Sequence, residues 1–132
     1  MTPIPPGRIL IVDDERDNRE LVAIILGHEG HVILTAADGA HALALIAERT
    51  PDLVLLDVMM PDMDGYQVAA RIKGDVASRE VPIILVTAMD DAESRQRGLD
   101  AGVEHFLCKP FQRAELRSRV SALLRLEVHR RS

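Results

Sequence analysis

Five side chains in this 132-residue sequence could do chemistry together: the adjacent carboxylates Asp13 and Asp14, a third carboxylate at Asp57, the hydroxyl of Thr87 and the ammonium of Lys109. Each follows a short apolar run, ILIV before Asp13, LVLL before Asp57, PIILV before Thr87 and HFLC before Lys109. An Asp after a strand is ordinarily an N-cap for the next helix, and any one of these alone would be read that way. Four such runs ending in oxygen-bearing or cationic residues are poorly explained by capping. Carboxylates brought together from different runs repel, by roughly 4 kcal/mol for one pair ~4 Å apart at an effective dielectric of about 20. A divalent cation relieves that cost, and an all-oxygen donor set suits Mg²⁺ better than zinc or copper. Lys109 adds a separate clue: the sequence uses Arg fourteen times and Lys only at positions 73 and 109. A Lys kept against that bias suggests a compact point charge, for which a phosphoryl oxygen is a suitable target. A carboxylate nucleophile, two further carboxylates for a metal, a hydroxyl donor and a cation make up a phosphoryl-transfer set. Asp57 is the nucleophile expected, because it ends the central run.

The elements that must position these groups follow from period and punctuation. Residues 1–7 (MTPIPPG) are an irregular lead-in. Strands are expected at 8–12, 31–35, 52–57, 81–86 and 104–108, and helices at 15–29, 38–49, 64–73, 91–101 and 112–126, with Asp64 as an N-cap. Five short apolar strands alternating with five helices predict a parallel sheet covered on both faces. The expected architecture is a doubly wound sheet in the order 2-1-3-4-5, whose ligands bind beyond the carboxyl ends of the strands at the topological switch point. The candidate residues stand at those ends.

Composition narrows the partners. Sixteen basic residues against 21 acidic ones give −5, which disfavours a nucleic-acid arm or a basic membrane-surface segment. With three aromatic residues and no Trp, base-stacking platforms are not expected. Cys108 is the single cysteine, consistent with a reducing cytoplasm, and it is expected to be a small buried hydrophobe. The five histidines are too scattered for a metal site.

The motifs ILIVDDE, DLVLLDVMMPDMDG, PIILVTA and HFLCKPF resemble the CheY-like receiver domain of two-component response regulators, over about residues 8–124. The resemblance implies that Asp57 accepts a phosphoryl group from a phosphohistidine of a sensor histidine kinase or phosphotransfer protein, or from a small phosphodonor. It implies a site for Mg²⁺, or Mn²⁺ in its place, made by Asp14 directly, Asp13 mainly through water, Asp57 and the backbone carbonyl of Met59. Thr87 would hydrogen-bond the phosphoryl group and Lys109 pair with it. Thr87 and Phe106 would then shift inward together, altering the face made by the fourth helix, fifth strand and fifth helix, and Lys109–Pro110 would be a cis peptide. Such a domain is cytoplasmic, is no enzyme toward external substrates, and catalyses only its own phosphorylation and slow dephosphorylation. Its output would be a downstream effector protein or a fused domain, and phosphorylation-dependent dimerisation is one form that output takes. Residues 125–132 read as a basic helix end or linker, compatible with a stand-alone receiver or with one receiver of a longer regulator or hybrid kinase.

Three residues depart from the family pattern. Phe106 stands where many members have Tyr, and Met59 and Met89 are apolar at positions that tune the lifetime of the phosphoryl group. Neither Met side chain is expected to position the hydrolytic water. Rival readings meet specific obstacles. A phosphatase of the haloacid dehalogenase class needs a second Asp where Met59 stands, and a dinucleotide-binding module needs a glycine-rich turn where this chain has DDE. A receiver that is never phosphorylated would not need every acceptor and cation position filled.

Overall fold

The computed structural model describes residues 6–88 and 91–131. The chain alternates β1 (Arg8–Val12), α1 (Arg16–Gly27), β2 (Val32–Ala36), α2 (Gly39–Glu48), β3 (Leu53–Asp57), α3 (Gly65–Gly74), β4 (Ile83–Thr87), α4 (Ala92–Asp100), β5 (His105–Cys108) and α5 (Arg113–Arg131). The five strands form one parallel sheet in the order β2-β1-β3-β4-β5, the expected topology.

The strand sequences are apolar almost throughout because both faces are covered. Leu10, Val12, Val54, Leu56, Ile83 and Leu85 face one core, which takes Ala42 and Ile46 from α2 and Val68, Ala69 and Ile72 from α3. The alternating residues Ile9, Ile11, Leu53, Leu55, Ile84 and Val86 face the other, packed by Ile25 and Leu26 of α1 and by Leu116, Val120 and Leu124 of α5. β3 is central, and all five of its residues are buried, Asp57 included.

Helix starts are set by short acidic side chains. Asp38, Asp64 and Asp91 each accept a backbone N–H three residues on, and Asp64 forms a full capping box with Gln67. Three boundaries differ from expectation by two residues or more, the first being the end of α1 at Gly27 rather than Glu29. β4 begins at Ile83 rather than Val81, because Pro82 has no N–H to give a ladder. α5 runs on to Arg131 instead of ending near Leu126, since nothing after Leu124 is a Gly or Pro that would stop it. Residues 1–5 of the lead-in and residue 132 lie outside the described residues. Among the described residues, no helix is long and apolar enough to cross a membrane.

The amino end of the sheet carries a pH-sensitive contact. Gly7 donates its N–H to Nδ1 of His31 (3.1 Å) and accepts from Val32 N–H through its carbonyl (2.9 Å), so the imidazole must stay unprotonated there. Burial lowers the pKa of His31, with Glu29 partly offsetting it; burial also lowers that of His105, against Glu104 and with help from Arg119 and Lys73. A folded-state pKa below the unfolded one means that the unfolded chain takes up protons first. Stability is therefore present above the ordinary histidine value of about 6.5 and falls as the pH drops below it. Urea melts at pH 7.5 and 5.5 should show that loss, and His31→Asn should lose less; an equal loss in both proteins would remove His31 from the account.

Candidate functional site

β1, β3, β4 and β5 end along one edge of the sheet, and that edge carries Asp13, Asp14, Asp57, Met59, Thr87 and Lys109; Met89 lies outside the described residues. Carboxylate oxygens of Asp13, Asp14 and Asp57 all lie within 4.8 Å of one another. Asp13 and Asp57 are buried, at 7% and 5% exposure, whereas Asp14 is exposed. Among the described residues this is the one cluster of three or more acidic, His or Cys groups close enough to hold a metal ion. Its donors are hard oxygens, which fit Mg²⁺ or Mn²⁺ and offer nothing for a soft metal.

Lys109 reaches this cluster from the end of β5, with Nζ 3.3 Å from Asp57 Oδ1 and 4.0 Å from Asp13 Oδ2. Its backbone N–H bonds the Thr87 carbonyl at 2.8 Å, tying the start of the β5–α5 loop to the end of β4, and Lys109–Pro110 is cis. Thr87 is buried at the end of β4, where its neighbour Val86 lies opposite Asp57. Asp13 serves two purposes: Oδ1 accepts from Glu15 N–H at 2.9 Å, a local turn bond, while Oδ2 faces Lys109. Asp13 is not the N-cap of α1, which is Glu15 with no side-chain cap bond; its turn bond stands beside its place in the acidic cluster.

Electrostatics make Asp57 the unusual carboxyl. Its pKa is raised above the ordinary 3.8, chiefly by burial and then by the charge of Asp13. The Lys109 ammonium and the Met59 N–H, which donates to the carboxylate, hold it partly down. Burial and the Asp13 charge together outweigh the one ammonium at the site.

Several supports gave no signal in the sequence. Arg19 donates Nη1–H to the Asp13 carbonyl at 2.8 Å and fixes the β1–α1 turn from six residues away. Gly65 lies so close to β3 that a Cβ there would come within 2.4 Å of the Asp57 carbonyl oxygen and 2.8 Å of Val58 Cα. Both neighbours are backbone and cannot yield cheaply. Gly65→Ala should cost about 2–3 kcal/mol, read as a lower denaturation midpoint, and an unchanged midpoint would show that the loop relaxes freely. Arg97 of α4 stacks over Tyr66 (4.3 Å to the ring centre) and approaches Asp64 Oδ2 at 3.7 Å, strapping α4 to the N-terminal turn of α3. A cleft of about 510 Å³ opens next to Lys109, walled by Leu21, Val22, Leu55, Phe111 and Leu116.

Three further placements bear on expectation. Met59 is 69% exposed, its side chain in solvent beside the site. Phe106 is buried at 9%. Cys108 is exposed rather than buried, because β5 is an edge strand and this residue stands at its open end, with Sγ 3.7 Å from the Lys109 carbonyl.

Comparison with known proteins gives a consistent result. Residues 9–121 match the profile of the response regulator receiver domain. Response regulator PleD of Caulobacter vibrioides is 43% identical over 122 residues, which is 92% of this chain and 27% of that protein. Response regulator MprA of Mycobacterium sp. (strain KMS) is 45% identical over 120 residues, 91% of this chain and 51% of that protein. The chain therefore spans between about a quarter and a half of these curated relatives. The crystal structure of the chemotaxis protein CheY4 of Vibrio cholerae superimposes with a TM-score of 0.86 at 30% identity, covering 89% of this chain and 98% of that one.

Proposed function

The chain belongs to the response regulator receiver domain family, and from that premise we propose that Asp57 is its phosphoacceptor, taking a phosphoryl group from a histidine kinase or phosphotransfer protein. One observation carries the reading: three carboxylates within 4.8 Å of one another share a sheet edge with an ammonium 3.3 Å from the central one. An Asp57 oxygen bonds to phosphorus as the phosphorus–nitrogen bond of the donor phosphohistidine breaks, and the bonding pair leaves with the imidazole. Lys109 moves its pairing from the carboxylate to the phosphoryl oxygens, and the Thr87 hydroxyl donates to them. The Met59 N–H holds the Asp57 carboxylate in place beforehand. Asp13, Asp14, Asp57 and the Met59 carbonyl would hold Mg²⁺, which when bound offsets charge on the transferring group. The protein thus acts on itself and not on an external substrate.

Incubation with acetyl phosphate tests the reading. Phosphorylation should need Mg²⁺ and stop in EDTA, whereas equal phosphorylation in both would oppose it. The exposed Met59 thioether is at most a weak acceptor and does not position an attacking water, so access alone governs loss of the phosphoryl group. Met59→Asn should shorten its lifetime several-fold in a dephosphorylation time course, and an unchanged lifetime would oppose this part of the reading.

A second form of the same reading is favoured by the fraction of each relative that the chain spans. In that form the module is joined to an output domain and passes its state through the face made by α4, β5 and α5.

A further inference from the structure

Three methionines follow Asp57 within six residues, and the fold treats them differently. Met60 and Met63 are partly buried against the core on the α2–α3 side of the sheet. The Met63 sulfur packs so closely on Gly39 that a Cβ there would lie 3.1 Å from it. Met59 is 69% exposed, so among the described residues it is the thioether open to solvent. It is also the one tied to the acidic cluster, because its N–H donates to the Asp57 carboxylate. The backbone of Met59 is thus fixed at the rim of the site while its sulfur lies in water. An oxidant in solution reaches that sulfur without any opening of the fold.

We propose that Met59 is a modification site, whose oxidation by a peroxide makes the lifetime of the Asp57 phosphoryl group depend on redox state. The peroxide gives one oxygen atom to a lone pair of the sulfur. The thioether is oxidised by two electrons to a sulfoxide, and the peroxide is reduced to water, or to an alcohol if it is organic. This changes what the rim of the site offers. A thioether is at most a weak acceptor, whereas the sulfoxide is polar and its oxygen accepts hydrogen bonds. Held two residues from Asp57, that oxygen orients a water toward the phosphoryl group. The water oxygen bonds to phosphorus as the bond to the Asp57 oxygen breaks, which leaves the carboxylate and phosphate and releases a proton to solvent. Enzymatic reduction of the sulfoxide restores the thioether and the longer lifetime. The inference rests on the phosphoacceptor reading for the effect on lifetime, but not for the selective oxidation of Met59.

The test uses the full chain carrying Cys108→Ser, since that exposed thiol would itself be oxidised beside Lys109. The protein is treated with hydrogen peroxide, freed of it, and divided between peptide mass spectrometry and phosphorylation by acetyl phosphate with Mg²⁺. Met59 should gain its oxygen several-fold faster than Met60 and Met63. The phosphoryl group should then be lost several-fold faster from treated than from untreated protein. In the same background with Met59→Leu, peroxide should leave the lifetime unchanged. Oxidation of Met60 or Met63 ahead of Met59, an unchanged lifetime once Met59 is oxidised, or the same shortening in Met59→Leu would each overturn the proposal. If the untreated protein takes up no phosphoryl group, the phosphoacceptor reading fails and the effect on lifetime falls with it, while faster oxidation of Met59 would still support the modification site.

Discussion

Asp57→Asn is expected to melt higher than the wild type at neutral pH while losing all capacity to be phosphorylated. The sign follows from the raised pKa of this carboxyl. A folded-state pKa above the unfolded value contributes stability below the ordinary aspartate value, and that contribution is lost as the pH rises through the folded pKa. At neutral pH the ionised Asp57 sits buried beside Asp13 and is a net burden, only partly relieved by Lys109 and the Met59 N–H. The amide keeps the shape and removes the charge. The gain should be on the order of 1 kcal/mol, or about 4 °C in melting temperature for a domain of this size. Mg²⁺ should raise the melting temperature of the wild type and do so less in the variant, because a ligand stabilises the state that binds it. Thermal melts at pH 7 with and without Mg²⁺ would check both parts; a variant that melts lower would mean that the Asp57 charge is fully compensated already.

Lys109→Met should separate metal binding from phosphoryl transfer. The ammonium lies 3.3 Å from Asp57 and 4.0 Å from Asp13, so in the resting site it competes with a cation for the same carboxylates. Its removal should tighten Mg²⁺ binding, since the acidic cluster is then less neutralised. It should also slow phosphorylation by about 10²-fold, the usual cost of losing one fixed donor to developing charge. Titration calorimetry with Mg²⁺ and a phosphorylation time course would read the two effects. If both weaken together, Lys109 organises the loop rather than meeting the phosphoryl group. Lys109→Arg is not expected to restore the rate, because a planar fork cannot replace a compact charge in a site this crowded.

The fold was legible because its strands are continuous apolar runs, and runs such as LVLL and IILV can only be covered on both faces. Their ends were legible too, since Asp13, Asp57, Thr87 and Lys109 are the first polar or charged groups after each run. What could not be read was contact across distance. Nothing local distinguishes Arg19 from any other surface arginine, yet it holds the Asp13 carbonyl. Gly65 reads as a turn residue, but its role is set by the close approach of β3. Arg95 and Arg97 sit in a polar stretch that looks solvated, and each covers an aromatic ring more than ten or thirty residues away in sequence, respectively. Lys109 stands in the site, but Lys73 donates to the carbonyls of Val81 (2.6 Å) and Arg79 (3.2 Å) and pins the α3–β4 connection. A lysine retained among arginines signals a need for a compact donor, which structure can supply as readily as chemistry.

The most direct test of the account is where the phosphoryl group goes. The protein would be incubated with acetyl phosphate and Mg²⁺, the product reduced with borohydride to mark the acyl phosphate, and the modified residue mapped by peptide mass spectrometry. The account predicts a single modification, at Asp57, absent without Mg²⁺. Modification at Asp13 or Asp14 instead, or phosphorylation that persists in Asp57→Asn, would contradict it.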